Sequence, residues 1–415
     1  MNRRFFLKNS GTTLGAVMII PTMVTGESGN LEESLNPSDL FKEKIIAALY
    51  GIAIGESMGA PVEGCGPKAL RERFPEEERL TEFIPGTDKV YGKGYGRITD
   101  DTLLTEALIR TYTKAVKHLD AYDYEEFFLP EISKTKVFIP EKQINAPIIE
   151  RLFYPDKYPW EKLTIHNSEP RSTGIGNMVN CGLAISIMPI GAVNAGDPRG
   201  AYLETASFGL AHNESYGIEG GAVMAAAYAE AFRPGANIDS IISRTSGLAK
   251  DGTKDAILSA IEVVNTSDSM NDVIRKIRRA FLPFSGVPCD KFDYFTDFSY
   301  LNPTQNKNTF RPSRVYSIEE LPVCLAILKY GNGDFYKTLT TSVLYGNDND
   351  SIAGMACGLF GALYGLKDFS KKLIRDVEEV NKRNFAQTGE QLFNVANDIY
   401  KNDIAIFAEK RSIFK

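Results

Sequence analysis

From residue 39 to residue 407 the apolar side chains of this chain keep returning three and four positions apart, and no other feature restricts its fold as strongly. Leu40, Ile45, Ile46, Leu49, Ile52 and Ala53 make one such stripe, with Ser38 or Asp39 as its helix cap. The same period runs through 102–116, 218–232, 256–264, 270–281, 321–328, 352–364 and 371–407. Turns rich in Gly, Pro and Asn join these stretches, and the period-two alternation of half-buried strands is scarce. The prediction is an all-α domain over 38–415, a compact bundle of many helices. Small residues gather on several packing faces, as at 220–227 and at Gly354, Ala356, Gly358, Gly361 and Ala362, which lets helices approach closely. No repeat of fixed length points to a solenoid.

Two segments break this pattern. Residues 1–26 carry Asn2-Arg3-Arg4-Phe5-Phe6-Leu7-Lys8, a weakly apolar run from Gly11 to Ile20, then Pro21 and Val24-Thr25-Gly26, the layout of a signal peptide. The Arg-Arg pair followed by Phe-Leu-Lys resembles a twin-arginine export signal, so a periplasmic destination is expected. That run is short and Gly/Thr-rich for a ~20-residue membrane span, and no later segment comes near one, so no stable membrane anchor is expected. Residues 27–37 read as a polar linker. The second break, 119–171, is aromatic, charged and proline-bearing, and reads as an insertion of loops and short helices: a lid, or a cover with no substrate contact.

With 43% hydrophobic and 24% charged residues the chain is ordinary for a globular protein, and its net charge of −6 gives no general attraction to nucleic acid. The five cysteines show no C-x-x-C spacing and the three histidines lie far apart, which disfavours a disulfide framework and a zinc site.

Chemistry concentrates in acidic motifs. Gly92-Lys93-Gly94-Tyr95-Gly96-Arg97-Ile98 runs into Thr99-Asp100-Asp101-Thr102 and then into a helix; Gly346-Asn347-Asp348-Asn349-Asp350-Ser351 does the same further on. Either motif alone can be read as a helix cap, since hydroxyls and carboxylates satisfy the free N–H groups there and favour the macrodipole. An EF-hand is excluded at the second, because Ala353 and Leu359 stand where that loop needs Gly and Glu. Should both helix starts converge, four aspartates would meet, and like charges ~4 Å apart repel by about 4 kcal/mol per pair at an effective dielectric near 20. Bound cations would make that tolerable, and oxygen-only ligands favour magnesium, calcium or manganese over zinc. A third segment, Gly51 to Glu63, puts glycines 51, 55 and 59 on one helical face, pressed against a neighbour; Pro61 ends the helix and leaves Glu63 on the exit loop, a surface carboxylate or a site group.

Together these residues resemble the ADP-ribosylglycohydrolase family. Gly51 to Glu63 is similar to its opening G-x-x-x-G-D-A-x-G-x-P-x-E, Thr99 to Thr102 matches its T-D-D-T, and Gly346 to Ser351 resembles its G-G-D-T-D-T. The stretch from Ser317 to Gly365 also follows the family's closing pattern. The resemblance implies an orthogonal all-α fold holding two magnesium ions, with manganese or calcium as substitutes. By position, Thr99, Asp100 and Asp101 would ligate from one side and Asp348, Asp350 and Ser351 from the other, with Glu63 over the site as a mobile glutamate. Glu63, Asp100 and Asp350 would carry catalysis. Gly174, Gly176, Asn177 and His212 would lie where family members hold diphosphate and ribose.

The implied activity is hydrolysis of an N- or O-glycosidic bond in ADP-ribose or an ADP-ribosylated substrate. Departures from the pattern stand at Glu56 for the usual aspartate, at Gly346-Asn347 for a double glycine, at Ser351 for threonine, and in a middle block where Cys181-Gly182 and Ile185-Ser186 replace Asn-Gly and Met-Arg. The altered block keeps two rivals open: a magnesium hydrolase of another exported glycoside or nucleoside, and a non-catalytic ADP-ribose-binding protein.

Overall fold

The computed structural model describes residues 36–75, 79–86, 92–281 and 319–414. The expected export signal at 1–26, most of the linker, and Ser317 at the start of the closing pattern lie outside the described residues.

The longer helices in chain order are α1 (Pro37–Gly59), α2 (Asp100–Ala115), α3 (Tyr154–Thr164), α4 (Pro198–Gly209), α5 (Ser215–Ala231), α6 (Ile238–Leu248), α7 (Asp251–Glu262), α8 (Met270–Ala280), α9 (Glu320–Gly331), α10 (Phe335–Tyr345), α11 (Asn349–Tyr364), α12 (Lys371–Asn381) and α13 (Phe385–Ile413). The expected all-α class holds, and the rest of the described chain is turns, short helices and one hairpin.

The pairing of α1 with α11 organises the core, and glycine makes it possible. A Cβ at Gly51 would lie 2.1 Å from the Cys357 carbonyl oxygen, one at Gly55 2.2 Å from that of Ala353, and one at Gly59 2.6 Å from that of Asn349. The contacts run antiparallel, backbone against backbone, and Gly361 returns the favour against Ala47. Helix α1 therefore ends where α11 begins, which carries Glu56 and Glu63 to the Asp348–Asp350 segment. Along this seam Ile45, Leu49, Ile52 and Ala53 are buried with Ile352, Ala356 and Leu359.

Several expectations need correction. α1 begins at Pro37, so Ser38 and Asp39 stand in its first turn rather than capping it; the fixed φ of proline suits that position. It does not stop at Pro61 but tightens into a 3-10 turn over Ala60–Val62. Pro37–Val62 is also long and apolar enough to cross a membrane by length and composition, contrary to the expectation that no later segment is; its burial inside the protein marks it as a core helix. The apolar run over 371–407 is two helices, because Lys382 turns left-handed (φ 52°) and the Asn384 side chain opens α13 by accepting from the Gln387 N–H. Within 119–171 the antiparallel hairpin β1 (Lys136–Ile139) with β2 (Ile144–Pro147) adds to the expected loops and short helices, and elsewhere α4, α6 and α10 lie outside the expected helical stretches. Helix α10, Phe-Tyr-Lys-Thr-Leu-Thr-Thr-Ser-Val-Leu-Tyr, is rich in β-branched and aromatic residues; packing of its buried faces overrides that propensity.

Candidate functional site

Glu56 assembles the site from inside α1. Its carboxylate is fully buried and accepts from the Thr99 N–H and hydroxyl, both at 2.5 Å, and from the Thr102 N–H at 3.3 Å and the Thr102 hydroxyl. One helix thus caps the start of another: Glu56 accepts the N–H groups of Thr99, at the N-cap, and of Thr102 in the first turn of α2. Thr99 stands at the N-cap position without a side-chain capping bond, and so does Asp348 at the start of α11. Neither motif is a self-cap, and the aspartates are left to face elsewhere.

They face one another. Carboxylate oxygens of Glu56, Asp100 and Asp101 lie within 4.8 Å of one another, and so do those of Glu63, Asp348 and Asp350. A cavity of about 340 Å³ is lined by Glu63, Asp100, Asp348, Asp350 and Ser351 together. Asp101 sits behind it, with Oδ2 buried and without a hydrogen-bond partner; Asp350 Oδ1 is in the same condition. Unpaired buried carboxylate oxygens are costly unless a cation meets them. Burial first, and then the charges of Glu56, Asp100, Asp350 and Asp348, push Asp101 well above the usual carboxylate range. Asp350 is raised likewise by burial and then by Glu63. Burial lifts Glu56 to about 7 despite its four hydrogen bonds. The donor set, carboxylates and hydroxyls meeting in one place, suits a hard divalent cation.

Two basic residues that the motifs did not single out enter this acidic cluster. Lys93, from the glycine loop, donates its ammonium to Glu63 and lies 3.5 Å from Asp350 Oδ2. Gly92, Gly94 and Gly96 all adopt positive φ there, and a Cβ on Gly94 would strike the Gly86 backbone at 2.3 Å, so only glycine lets the loop fold in. Arg151 reaches Asp100 Oδ1 at 2.5 Å, is held by Glu141, and stacks over Phe153. It comes from the 119–171 segment, which also supplies Phe153, Tyr154, Pro155 and Asp156 to the cavity wall. That segment therefore contributes to the cavity wall.

The remaining expected residues stand one layer back. His212 is buried, its Nε2 3.1 Å from Asp156 Oδ1, so it meets the cavity through Asp156. The Asn177 side-chain amide donates to the backbone oxygens of Pro155 and His212, at 2.8 and 2.6 Å, and ties the loop down. Gly174 packs on the Asn213 backbone, and Gly176 turns at φ +88° beside Tyr158. From that region Met178 and Asn180 reach the cavity wall. Cys181, where the sequence departs from the family pattern, also lines the wall with its Sγ 3.2 Å from Asp348 Oδ2 and 4.0 Å from the Ser351 hydroxyl. Burial, then Asp348, raises that thiol well above its ordinary value. Lys93 and Arg151 left little signal in the sequence: one lysine between glycines, and one arginine in an aperiodic stretch.

A family model described as ADP-ribosylglycohydrolase matches residues 37–405. The uncharacterized protein YegU of Escherichia coli (strain K12) is 21% identical over 355 residues, 83% of this chain and 94% of YegU. A solved structure titled ADP-ribosylglycohydrolase-related protein complex superposes with a TM-score of 0.57 at 16% identity, over 86% of this chain and 99% of that one, a likeness of fold. With the family model spanning nearly all of the helical domain, the chain belongs to the ADP-ribosylglycohydrolase family and is a glycoside hydrolase.

Proposed function

We propose that this hydrolase is divalent-metal-dependent and cleaves the glycosidic bond at the anomeric carbon of a ribose, in ADP-ribose or an ADP-ribosylated substrate. The observation that carries the reading is the convergence of Asp100, Asp348 and Asp350 on one cavity with Asp101 directly behind it, Asp101 Oδ2 and Asp350 Oδ1 being buried and unpartnered. Thr99, Asp100 and Asp101 would hold cation from one side, and Asp348, Asp350 and Ser351 from the other. Two magnesium ions are the expected occupants. Bound divalent cations supply Lewis-acid chemistry at the reacting centre.

The chain's own residues do the rest. Glu63 is half-buried at the cavity rim, on the turn that leaves α1, and can take the proton of the attacking water as general base. The surrounding carboxylates stabilise positive charge that develops on the sugar ring in an oxocarbenium-like transition state. Asp156, braced by His212, is a further wall carboxylate that can orient polar groups of the substrate. Phe153 and Tyr154 expose more than half of their surface at the mouth, a face on which a nucleobase can stack.

Replacing Asp348 or Asp350 by Asn should abolish turnover with the helical circular dichroism unchanged; full residual activity discards the scheme. The substrates to compare are arginine-linked, serine-linked and acetylated ADP-ribose, with product analysis. Cys181 in the wall supports a second reading, in which the same chemistry acts on another glycoside or a nucleoside, and binding of free ADP-ribose in calorimetry separates the two. Export through the Arg3-Arg4 address is proposed alongside, with cell fractionation as its check.

A further inference from the structure

We propose that Lys93 is a built-in competitor for metal: its ammonium fills the cation position between Glu63 and Asp350, and a divalent ion entering that half of the site must displace it. The inference rests on the metal reading above and deepens it. Lys93 donates to Glu63 Oε2 and stands 3.5 Å from Asp350 Oδ2. Those two carboxylates and Asp348 are the group whose oxygens lie within 4.8 Å of one another, so two of the carboxylates that would hold a divalent ion already hold an ammonium.

The other half of the site differs. Both oxygens of Glu56 are taken by Thr99 and Thr102, Arg151 touches Asp100 from the side of the 119–171 segment, and Asp101 Oδ2 meets no donor. Among the described residues no lysine ammonium enters it. The Asp100–Asp101 half keeps Asp101 Oδ2 clear of any donor with Arg151 on the Asp100 side, whereas in the other half one ammonium spans Glu63 and Asp350.

Lysine is suited to this part. The glycine loop pins its backbone, with Gly92 against the Glu141 carbonyl and Gly94 against Gly86, so the ammonium is supplied at the high effective concentration of a tethered group. Its four-carbon stem lets the charge swing away without moving the loop, and a compact ammonium substitutes for a metal ion better than a planar guanidinium does. Two ions bound by this chain should therefore bind unequally, the second against Lys93.

The experiment uses the full chain and Mn2+, counted by calorimetry and by the electron paramagnetic resonance of free Mn2+, in wild type, Lys93→Met and Lys93→Arg. Wild type should bind one ion tightly and one at least about tenfold more weakly, and Lys93→Met should tighten the weaker step by about tenfold or more while leaving the stronger one alone. Lys93→Arg should keep the weaker step weak. In wild type, acetylation of Lys93 by acetic anhydride, read by peptide mass spectrometry, should rise when saturating Mn2+ is added; this readout stands even if the methionine variant does not fold. An unchanged weaker constant in Lys93→Met, or Lys93 acetylation indifferent to Mn2+, overturns the proposal while the metal reading survives. No Mn2+ bound by wild type or variant removes the metal reading and this inference together.

Discussion

One methyl group at Gly55 should pull the candidate site apart. An added Cβ would lie 2.2 Å from the Ala353 carbonyl oxygen and 2.5 Å from its carbon, where ordinary contact begins at 3.4 Å. The shortfall is 1.2 Å (3.4 less 2.2), and both partners are helix backbone, so no side-chain rotation relieves it. Helices α1 and α11 must separate by about an ångström. Overpacking costs about 1–3 kcal/mol, and the better helix propensity of alanine offsets roughly 1 kcal/mol of that. With rigid backbone on both sides we expect a net loss of about 2 kcal/mol, or a Tm lower by about 2–4 °C for a domain of this size. The functional effect should be larger, because α11 carries Asp350 and α1 leads to Glu63: a misplacement of about 1 Å can cost on the order of 100-fold in turnover. Thermal melts and initial rates for Gly55→Ala measure both. Gly247→Ala is the control, since a Cβ there meets nothing within 4 Å and should stabilise α6 by about 0.5–1 kcal/mol. A Gly55→Ala protein that melts no lower than wild type and keeps its activity refutes the claim that this backbone seam sets the geometry of the site.

Two further outcomes follow from the charges. Asp101 has its pKa raised in the fold, so its ionisation weakens the metal-free protein as pH climbs above the ordinary carboxylate range; Asp101→Asn should raise the Tm in EDTA at pH 8 by the equivalent of about 1 kcal/mol, lose that gain near pH 4, and remove the stabilisation that added Mn2+ gives wild type. His118 is raised to about 9, chiefly by its hydrogen bond to Glu204, so its contribution is complete below its unfolded value near 6.5 and is lost as pH rises through about 9. Its side chain is 40% exposed, which after screening leaves about 1 kcal/mol, and denaturant titrations of His118→Gln should show a flatter stability profile between those pH values than wild type.

The helical class, most of the long helices and the three acidic segments were legible before any coordinates, because each is written locally. Apolar residues at three-and-four spacing define a buried stripe whatever lies opposite it, and glycines at 51, 55 and 59 announce a close neighbour without naming it. Short or polar helices such as α4 and α6 were not legible, nor was α10, whose residues favour strands in isolation and become helical through burial. Gly174, Gly176, Asn177 and His212 were placed near the site by family pattern; hydrogen bonds to Pro155 and Asp156 set Asn177 and His212 behind the wall rather than in it.

Sequence alone determined the periods, the glycine face and the presence of separated aspartate pairs, since these need only the chain's neighbours along itself. Tertiary structure decided which charges meet. Glu56 reaches Thr99 across 43 positions, Arg151 comes from the 119–171 segment to Asp100, Cys181 lies 167 positions from Asp348, and Lys93 points inward rather than to solvent. Electrostatic energy falls with distance through space, not along the chain, so the partners of a buried carboxylate become known only once the helices have packed.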